Sequence, residues 1–421
     1  LLLMQKLIVK GKRKLSGSIN ISGSKNATLP ILAAAILTDK SLTLKNIPLV
    51  QDVYTMIKLL KFIGLSVEII KKKNTLNIVN NKKLKTVAPY NLLKTMRAGV
   101  LVLGPLLAKY KIAKVSLPGG CAIGARPVDL HLFALEKLGA KIKIKNGYIY
   151  ASAKRGLKGN IIKFPSISVG ATESAILAAA SAKGKTIISN CAIEPEIQDM
   201  VMFLKKIGCD IKFIGKRKIL INGTNEFKNA SHEIIFDRIE LGTYLIAGAL
   251  VGKKLILNKI NSSIIDTEIR IMKKMGVRMK IEKNRITVLE SKKINSINIK
   301  TKAYPGFPTD LQAQIMVLMS KATGTSKVTE SIFENRFMHV PELKRMGANI
   351  KIKNNIATIS GPTNLSGAEV MATDLRASVS LVLAALVASN KTTINRVYHL
   401  DRGYENLEKK LKKCKANINR I

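Results

Sequence analysis

The stretch ALEKLGAKIKI, residues 134–144, decides the fold, because the chain keeps returning to it. Leu135 and Leu138 share a helix face among charged residues, Gly139 ends that helix, and the alternating Lys and Ile behind it have the period of a half-buried strand. The same phrase stands as LLKFIGLSVEI at 59–69, FLKKIGCDIKF at 203–213, IMKKMGVRMKI at 271–281, ELKRMGANIKI at 342–352 and LKKCKANINRI at 411–421. Its stop positions are Gly64, Gly139, Gly208, Gly276, Gly347 and, in the last copy, Lys415, at separations of 75, 69, 68, 71 and 68 residues. A second phrase keeps the same period but is apolar on every side: PILAAAIL, VLVLGPLLA, SAILAAASA, YLIAGALVG, QIMVLMSKATG and SLVLAALVAS. A helix without a polar face must be buried all round, and its Ala, Gly and Ser let helices approach closely. The expected fold is therefore α/β, with six repeats of about 70 residues that each supply one inner helix, one outer helix and several strands. Six equivalent units suggest two domains of three, residues 24–235 and residues 1–23 with 236–421, the N-terminal strands completing the far domain.

Composition narrows the class. With 421 residues, 47% of them hydrophobic, the chain is globular. Cys121, Cys191, Cys209 and Cys414 give neither metal-like CxxC spacing nor a disulfide framework, so no metal or cofactor is expected and a reducing, cytoplasmic location is. The longest apolar runs, such as VSLVLAALVA at 379–388, are about half the roughly 20 residues of a membrane span. The start LLLMQKLIVKGKRK has no apolar core or cleavage site of a leader, and Leu1–Leu3 before Met4 read as an upstream extension. Lys and Arg number 71 against 27 Asp and Glu, a net charge of +44. The lysines are spread over the whole chain, there is no Trp, and 5% of residues are aromatic, so most of this charge reads as a solvated face. Weak nonspecific attraction to polyanions follows, with no sequence-specific nucleic-acid partner and no membrane insertion expected.

Just before each buried helix stands a polar cluster: Ser24-Lys25-Asn26; Lys94-Thr95 with Arg97; Ser168 with Gly170 and Thr172; Asp237-Arg238 with Glu240; Thr309-Asp310 with Gln312; and Thr373-Asp374 with Arg376. Ser, Thr and Asp there serve as ordinary N-caps. Capping does not call for Lys25, Arg97, Arg238 and Arg376, whereas the positive end of a buried helix does suit a phosphate or carboxylate. The segment LPGGCAIGARPVDLH at 117–131 adds a thiol: Cys121 follows two glycines and precedes Arg126, a setting expected to form a mobile polar loop and to favour thiolate. The other cysteines lie in apolar or lysine-rich surroundings and read as structural.

In order along the chain, SGSKNATLPIL, APYNLLKTMRAG, LPGGCAIGARPVDLH, SVGATES, EPEIQD, FPTDLQAQ, FENRFMHVPEL, ATDLRAS and HLDRGYE resemble the enolpyruvyl transferase family, from about Met4 to the C-terminus. The resemblance implies a two-domain inside-out α/β barrel, helices within and sheets without, with the active site between the domains. It is strongest to the members that move the enolpyruvyl group of phosphoenolpyruvate onto the 3′-hydroxyl of UDP-N-acetylglucosamine, releasing phosphate, at the first committed step of peptidoglycan precursor synthesis. The chemistry is addition then elimination through a tetrahedral ketal, so a carbon and a hydroxyl exchange protons with positioned groups. By resemblance Cys121 is the proton donor, forms a covalent adduct with phosphoenolpyruvate and is the target of fosfomycin, while Asp310 takes the proton of the sugar hydroxyl. Lys25, Arg126 and Arg402 match the clamp on phosphoenolpyruvate, and Arg336 and Arg376 add to its positive field. For the nucleotide sugar, Asn26, Arg97, the segment Arg126, Pro127, Val128, Asp129 and Leu130, the segment Ser166, Ile167, Ser168 and Val169, and Ile332 match binding positions. Asp374 and Glu194 match further polar positions. Ser166 departs from the pattern, since family members often carry Lys there, and Lys415 departs from the repeat.

Two rivals remain at this level. The shikimate-pathway enolpyruvyl transferases share the chemistry, but the Cys121 loop and KTMRAG argue against them. An RNA terminal-phosphate cyclase would give the charge a function and would need a catalytic His; His131, His232, His339 and His399 stand in no such motif.

Overall fold

A computed structural model of the chain describes residues 5–80, 83–119 and 128–421. Six four-stranded sheets and six inner helices account for it. The inner helices are Lys25–Ala34, Leu103–Tyr110, Val169–Ala179, Arg238–Val251, Gln312–Ser320 and Leu375–Val387. Every residue of Ala27–Ala34, Gln312–Ser320 and Leu375–Leu386 is buried, as helices without a polar face require. Each fully buried Leu or Ile in them contributes about 1.5–3 kcal/mol.

The six repeats share one plan. A short edge strand precedes the inner helix and pairs in parallel with the strand that follows it, and a hairpin after the outer helix completes the sheet. In the second repeat these are Val87–Ala88, Ile112–Ser116, Tyr148–Ser152 and Lys141–Lys145, in that spatial order. The first and fourth repeats exchange their edge strands: Ala230–Glu233 lies parallel to Leu42–Lys45, and Leu15–Asn20 parallel to Gly252–Asn258. In the sheet of the sixth repeat, Leu7–Lys10 lies between Asn417–Arg420 and Lys391–Asn395, antiparallel to both. Two compact units result: the described residues from 23 to 235, and residues 5–22 with 236–421. In the second of these, the helices Arg238–Val251, Gln312–Ser320 and Leu375–Val387 pack on one another.

The stop position after each outer helix has a positive φ in all six copies: 126° at Gly64, 92° at Gly139, 107° at Gly208, 86° at Gly276, 94° at Gly347 and 72° at Lys415. Lys415 thus takes the left-handed backbone that the five glycines take at the same place, although a side chain disfavours it. Lys415→Gly should remove a steric penalty of about 0.5–1 kcal/mol, seen as a raised thermal midpoint with unchanged activity.

Candidate active site

Four of the six inner helices begin with the side-chain cap that their sequence suggests. Ser24 accepts from the Ala27 N–H, Ser168 from Ala171, Asp237 from Ile239 and Glu240, and Asp374 from Arg376 and Ala377. The other two begin differently. Arg97 opens a 3₁₀ turn, Arg97–Val102, whose cap Met96 offers no side-chain acceptor, and Thr309–Leu311 forms a 3₁₀ turn whose carboxylate does not cap.

Asp310 is instead gripped from both sides. Arg336 Nη2 donates to its Oδ1 at 2.6 Å and Arg376 Nη2 to its Oδ2 at 2.7 Å. The arginine side chains are 5% and 7% exposed and that of Asp310 28%, so the carboxylate faces outward from two buried guanidinium groups. Charge-assisted bonds of this length are the strong ones.

A second layer fixes this group. Tyr404 Oη accepts from Arg376 Nη1 at 3.3 Å and from Gln314 Nε2 at 3.3 Å, and is 2.9 Å from Thr243 Oγ1. Gln314 Nε2 also donates to the Asp310 carbonyl at 2.9 Å. Glu330 is buried, and its carboxylate accepts from Thr301 Oγ1, Thr309 Oγ1, the Ile332 N–H and the Phe333 N–H at 2.8–3.2 Å. It therefore ties the turn that carries Asp310 to the loop that presents Ile332, which is 42% exposed. Sequence reading overlooks Tyr404 and Glu330. Tyr404 at least lies in the quoted HLDRGYE, two residues after Arg402, but Glu330 looks like an ordinary strand-end acid.

His339, 1% exposed, lies in the same unit. Burial lowers its pKa to about 4, with Asp374 opposing the shift and Arg336 adding to it. The unfolded chain takes up this proton near pH 6.5 and the folded one near pH 4. Stability from the neutral ring is therefore complete above 6.5 and is lost as pH falls toward 4, by at most about 3 kcal/mol. Urea unfolding across that window should show this loss, and His339→Gln should flatten it. Burial also lowers the pKa of His399, helped by Arg402, which sits half-buried just after the helical turn Tyr398–Asp401.

In the unit of residues 23–235, Lys25 and Asn26 open an inner helix. Lys25 Nζ pairs with Asp52 Oδ2 at 3.1 Å; their side chains are 12% and 5% exposed. Asp52 stands in the first turn of the outer helix Gln51–Ile63, where an acid is unremarkable by sequence, so nothing local singles it out. The described parts of two segments expected to meet the sugar lie on one helix pair. Val128, Asp129 and Leu130 open the helix Asp129–Lys137, which packs against Val169–Ala179 behind the exposed Ser166 and Ile167. His131 Nδ1 joins Ser174 Oγ at 2.7 Å across that contact, and a Cβ on Gly170 would lie 2.8 Å from the His131 ring. Arg97 begins the turn that packs on Lys25–Ala34. Glu194, expected at a further polar position, is buried and acts on Glu173 together with Glu196. Burial, then the charges of Glu196 and Glu194, push the Glu173 carboxyl well up.

Cys121, Arg126 and Pro127 lie outside the described residues. The other three thiols are buried, and burial lifts them to about 11, about 12 and about 11 at Cys191, Cys209 and Cys414. None has the environment of a nucleophile or acid at neutral pH. No helix among the described residues is long and apolar enough to cross a membrane.

The family model described as EPSP synthase (3-phosphoshikimate 1-carboxyvinyltransferase) matches residues 9–411. The UDP-N-acetylglucosamine 1-carboxyvinyltransferase of Pelagibacter ubique is 60% identical over 418 residues, covering 99% of this chain and 100% of its own. That of Rickettsia prowazekii is 50% identical over 420 residues with the same coverage. Among solved structures, the enolpyruvyl transferase NikO from Streptomyces tendae matches with a TM-score of 0.90 at 23% identity over 99% of both chains. EPSP synthase from Acinetobacter baumannii matches at 0.77 and 17%, covering 99% of this chain and 100% of its own. The two structures speak for the fold, and the six-repeat inside-out α/β architecture is theirs. The full-length identities go further: the chain belongs to the enolpyruvyl transferase family, among the UDP-N-acetylglucosamine 1-carboxyvinyltransferases.

Proposed function

We propose that the chain transfers the enolpyruvyl group of phosphoenolpyruvate to the 3′-hydroxyl of UDP-N-acetylglucosamine with release of phosphate, in the cytoplasm, at the first committed step of peptidoglycan precursor synthesis. The observation that carries this reading is Asp310 held between Arg336 and Arg376 at 2.6 and 2.7 Å. An oriented carboxylate suits a hydroxyl that must lose its proton, and fixed positive charge beside it supports an intermediate that gathers negative charge.

Cys121 delivers a proton to the methylene carbon, the adjacent carbon becomes electrophilic, and the sugar oxygen attacks it as its proton passes to Asp310. Collapse of the ketal after loss of a methyl proton expels phosphate. Lys25, Arg126 and Arg402 grip the donor's phosphate and carboxylate, with Arg336 and Arg376 in support. Asn26, Arg97, Arg126–Leu130, Ser166–Val169 and Ile332 receive the nucleotide sugar.

The deciding assay is phosphate release from phosphoenolpyruvate with each acceptor in turn. Release with UDP-N-acetylglucosamine is expected; release only with shikimate 3-phosphate would overturn the reading. Arg402→Ala should raise KM for phosphoenolpyruvate by about 10²-fold or more, the loss of a charge-assisted contact, with sugar binding nearly unchanged. Lys25→Ala should act the same way and also cost stability, because it strips Asp52 of a partner at a buried position. Equal losses for both ligands would contradict the assigned roles.

A further inference from the structure

Charge is everywhere on this chain and so locates nothing, but rings are scarce. Two of its nine tyrosines share the outer side of one sheet, and the backbone of a third touches one of them. Tyr148 and Tyr150 are two apart on the strand Tyr148–Ser152, which puts both on the face opposite buried Ile149 and Ala151. Tyr150 stands between Lys143 on one neighbouring strand and Lys114 on the other, and Tyr148 stands opposite Lys145. Lys114 Nζ lies 4.8 Å from the Tyr148 ring centre and 5.1 Å from that of Tyr150. The Tyr90 N–H donates to Tyr148 Oη at 3.4 Å, and Tyr90 is itself 54% exposed.

The edge strand Val87–Ala88 is only two residues long, so it leaves Ile112 56% exposed beside a depression of about 450 Å³ that Lys114, Lys143 and Tyr150 help to line. Four of the six sheets carry an acid in their strands: Glu68, Asp210, Glu282 and Glu369. Of the two that do not, the sheet of Asn298–Lys300 has no aromatic residue in its strands. Among the described residues, the sheet of Tyr148 and Tyr150 is thus the one that combines rings in its strands with lysines and no acid.

We propose that this face binds single-stranded nucleic acid without sequence preference. Bases would stack on Tyr150 and Tyr148, and phosphates would meet Lys114, Lys141, Lys143 and Lys145. A four-stranded sheet with aromatic residues two apart on a central strand and cations at its margins meets both requirements of such a ligand. A ring-free polyanion needs only the second.

The test is fluorescence anisotropy of a labelled oligouridylate with the full chain at several salt concentrations. Tyr148→Ala with Tyr150→Ala should weaken binding about 10-fold or more, with the salt slope unchanged. The matching Phe pair should bind as the parent does. Lys114→Gln with Lys143→Gln should lower the salt slope by about one per lysine. Phosphate release should be unaffected in all of them, which confirms that they fold; Tyr150→Ala alone repeats the test at one exposed position. Unchanged affinity in the Ala variants would overturn the proposal in favour of diffuse charge. Equal dependence on the tyrosines for a polyglutamate peptide or an anionic vesicle would overturn it in favour of a general acidic surface.

Discussion

Asp310→Asn is expected to lower turnover about 10³-fold, the usual worth of a positioned proton acceptor. An amide keeps the shape of the carboxylate but cannot take the proton of the attacking hydroxyl. It also changes the support: Arg336 and Arg376 each donate to one carboxylate oxygen, and an amide nitrogen would turn its own N–H toward one of them. One guanidinium, 5% or 7% exposed, then loses an acceptor. Breaking a buried pair costs about 3–5 kcal/mol, reduced here to about 2 kcal/mol because Asp310 is partly exposed and the charge is partly solvated. Turnover and urea stability should therefore fall together in Asp310→Asn. Asp310→Glu, which keeps the charge but shifts the oxygens, should recover most of the stability and little of the turnover. Normal turnover in Asp310→Asn would reduce Asp310 to a counter-ion for the two arginines.

The repeat explains why so much of the fold is legible beforehand. Six copies of an amphipathic helix with a fixed stop, glycine in five of them, fix the outer helices and hairpins, and six all-apolar phrases fix the inner helices, because each pattern follows from one face or from all faces being buried. That the N-terminal strands complete the far domain is legible from the count of repeats, but the strand that each of Ala230–Glu233 and Leu15–Asn20 pairs with is not, since either could pair beside the helix that follows it. Position decides them, through contacts hundreds of residues apart. The candidate site divides in the same way. Residues in dense motifs, such as Lys25, Asp310 and Arg376, announce themselves. Asp52, Glu330 and Tyr404 act by holding those residues in place, and a lone acid at a helix start or strand end carries no mark of its partner. Resemblance supplies roles, whereas the order in which Gln314, Thr243 and Tyr404 brace Arg376 comes only from coordinates.

Cys121→Ala should abolish turnover, at least about 10³-fold, and all covalent trapping of phosphoenolpyruvate, with the nucleotide sugar still bound. The case rests on what the other thiols can do. Cys191, Cys209 and Cys414 are buried, and burial holds them at about 11 to 12, so at neutral pH they supply neither a thiolate nor a proton at a useful rate. Cys121 follows Gly119 and Gly120 and precedes Arg126 in the sequence, the setting from which a reactive thiol is expected. In the proposed cycle its thiol gives a proton to carbon, and the covalent adduct forms when the same sulfur attacks the adjacent carbon in place of the sugar hydroxyl. Mass spectrometry of the native chain treated with fosfomycin should therefore find one adduct, on Cys121, and none in Cys121→Ala. An adduct spread over the buried cysteines, or turnover that survives the substitution, would take the thiol out of the mechanism and leave protonation of the methylene carbon to one of the lysines, whose own shifts with pH would then have to appear in the rate profile.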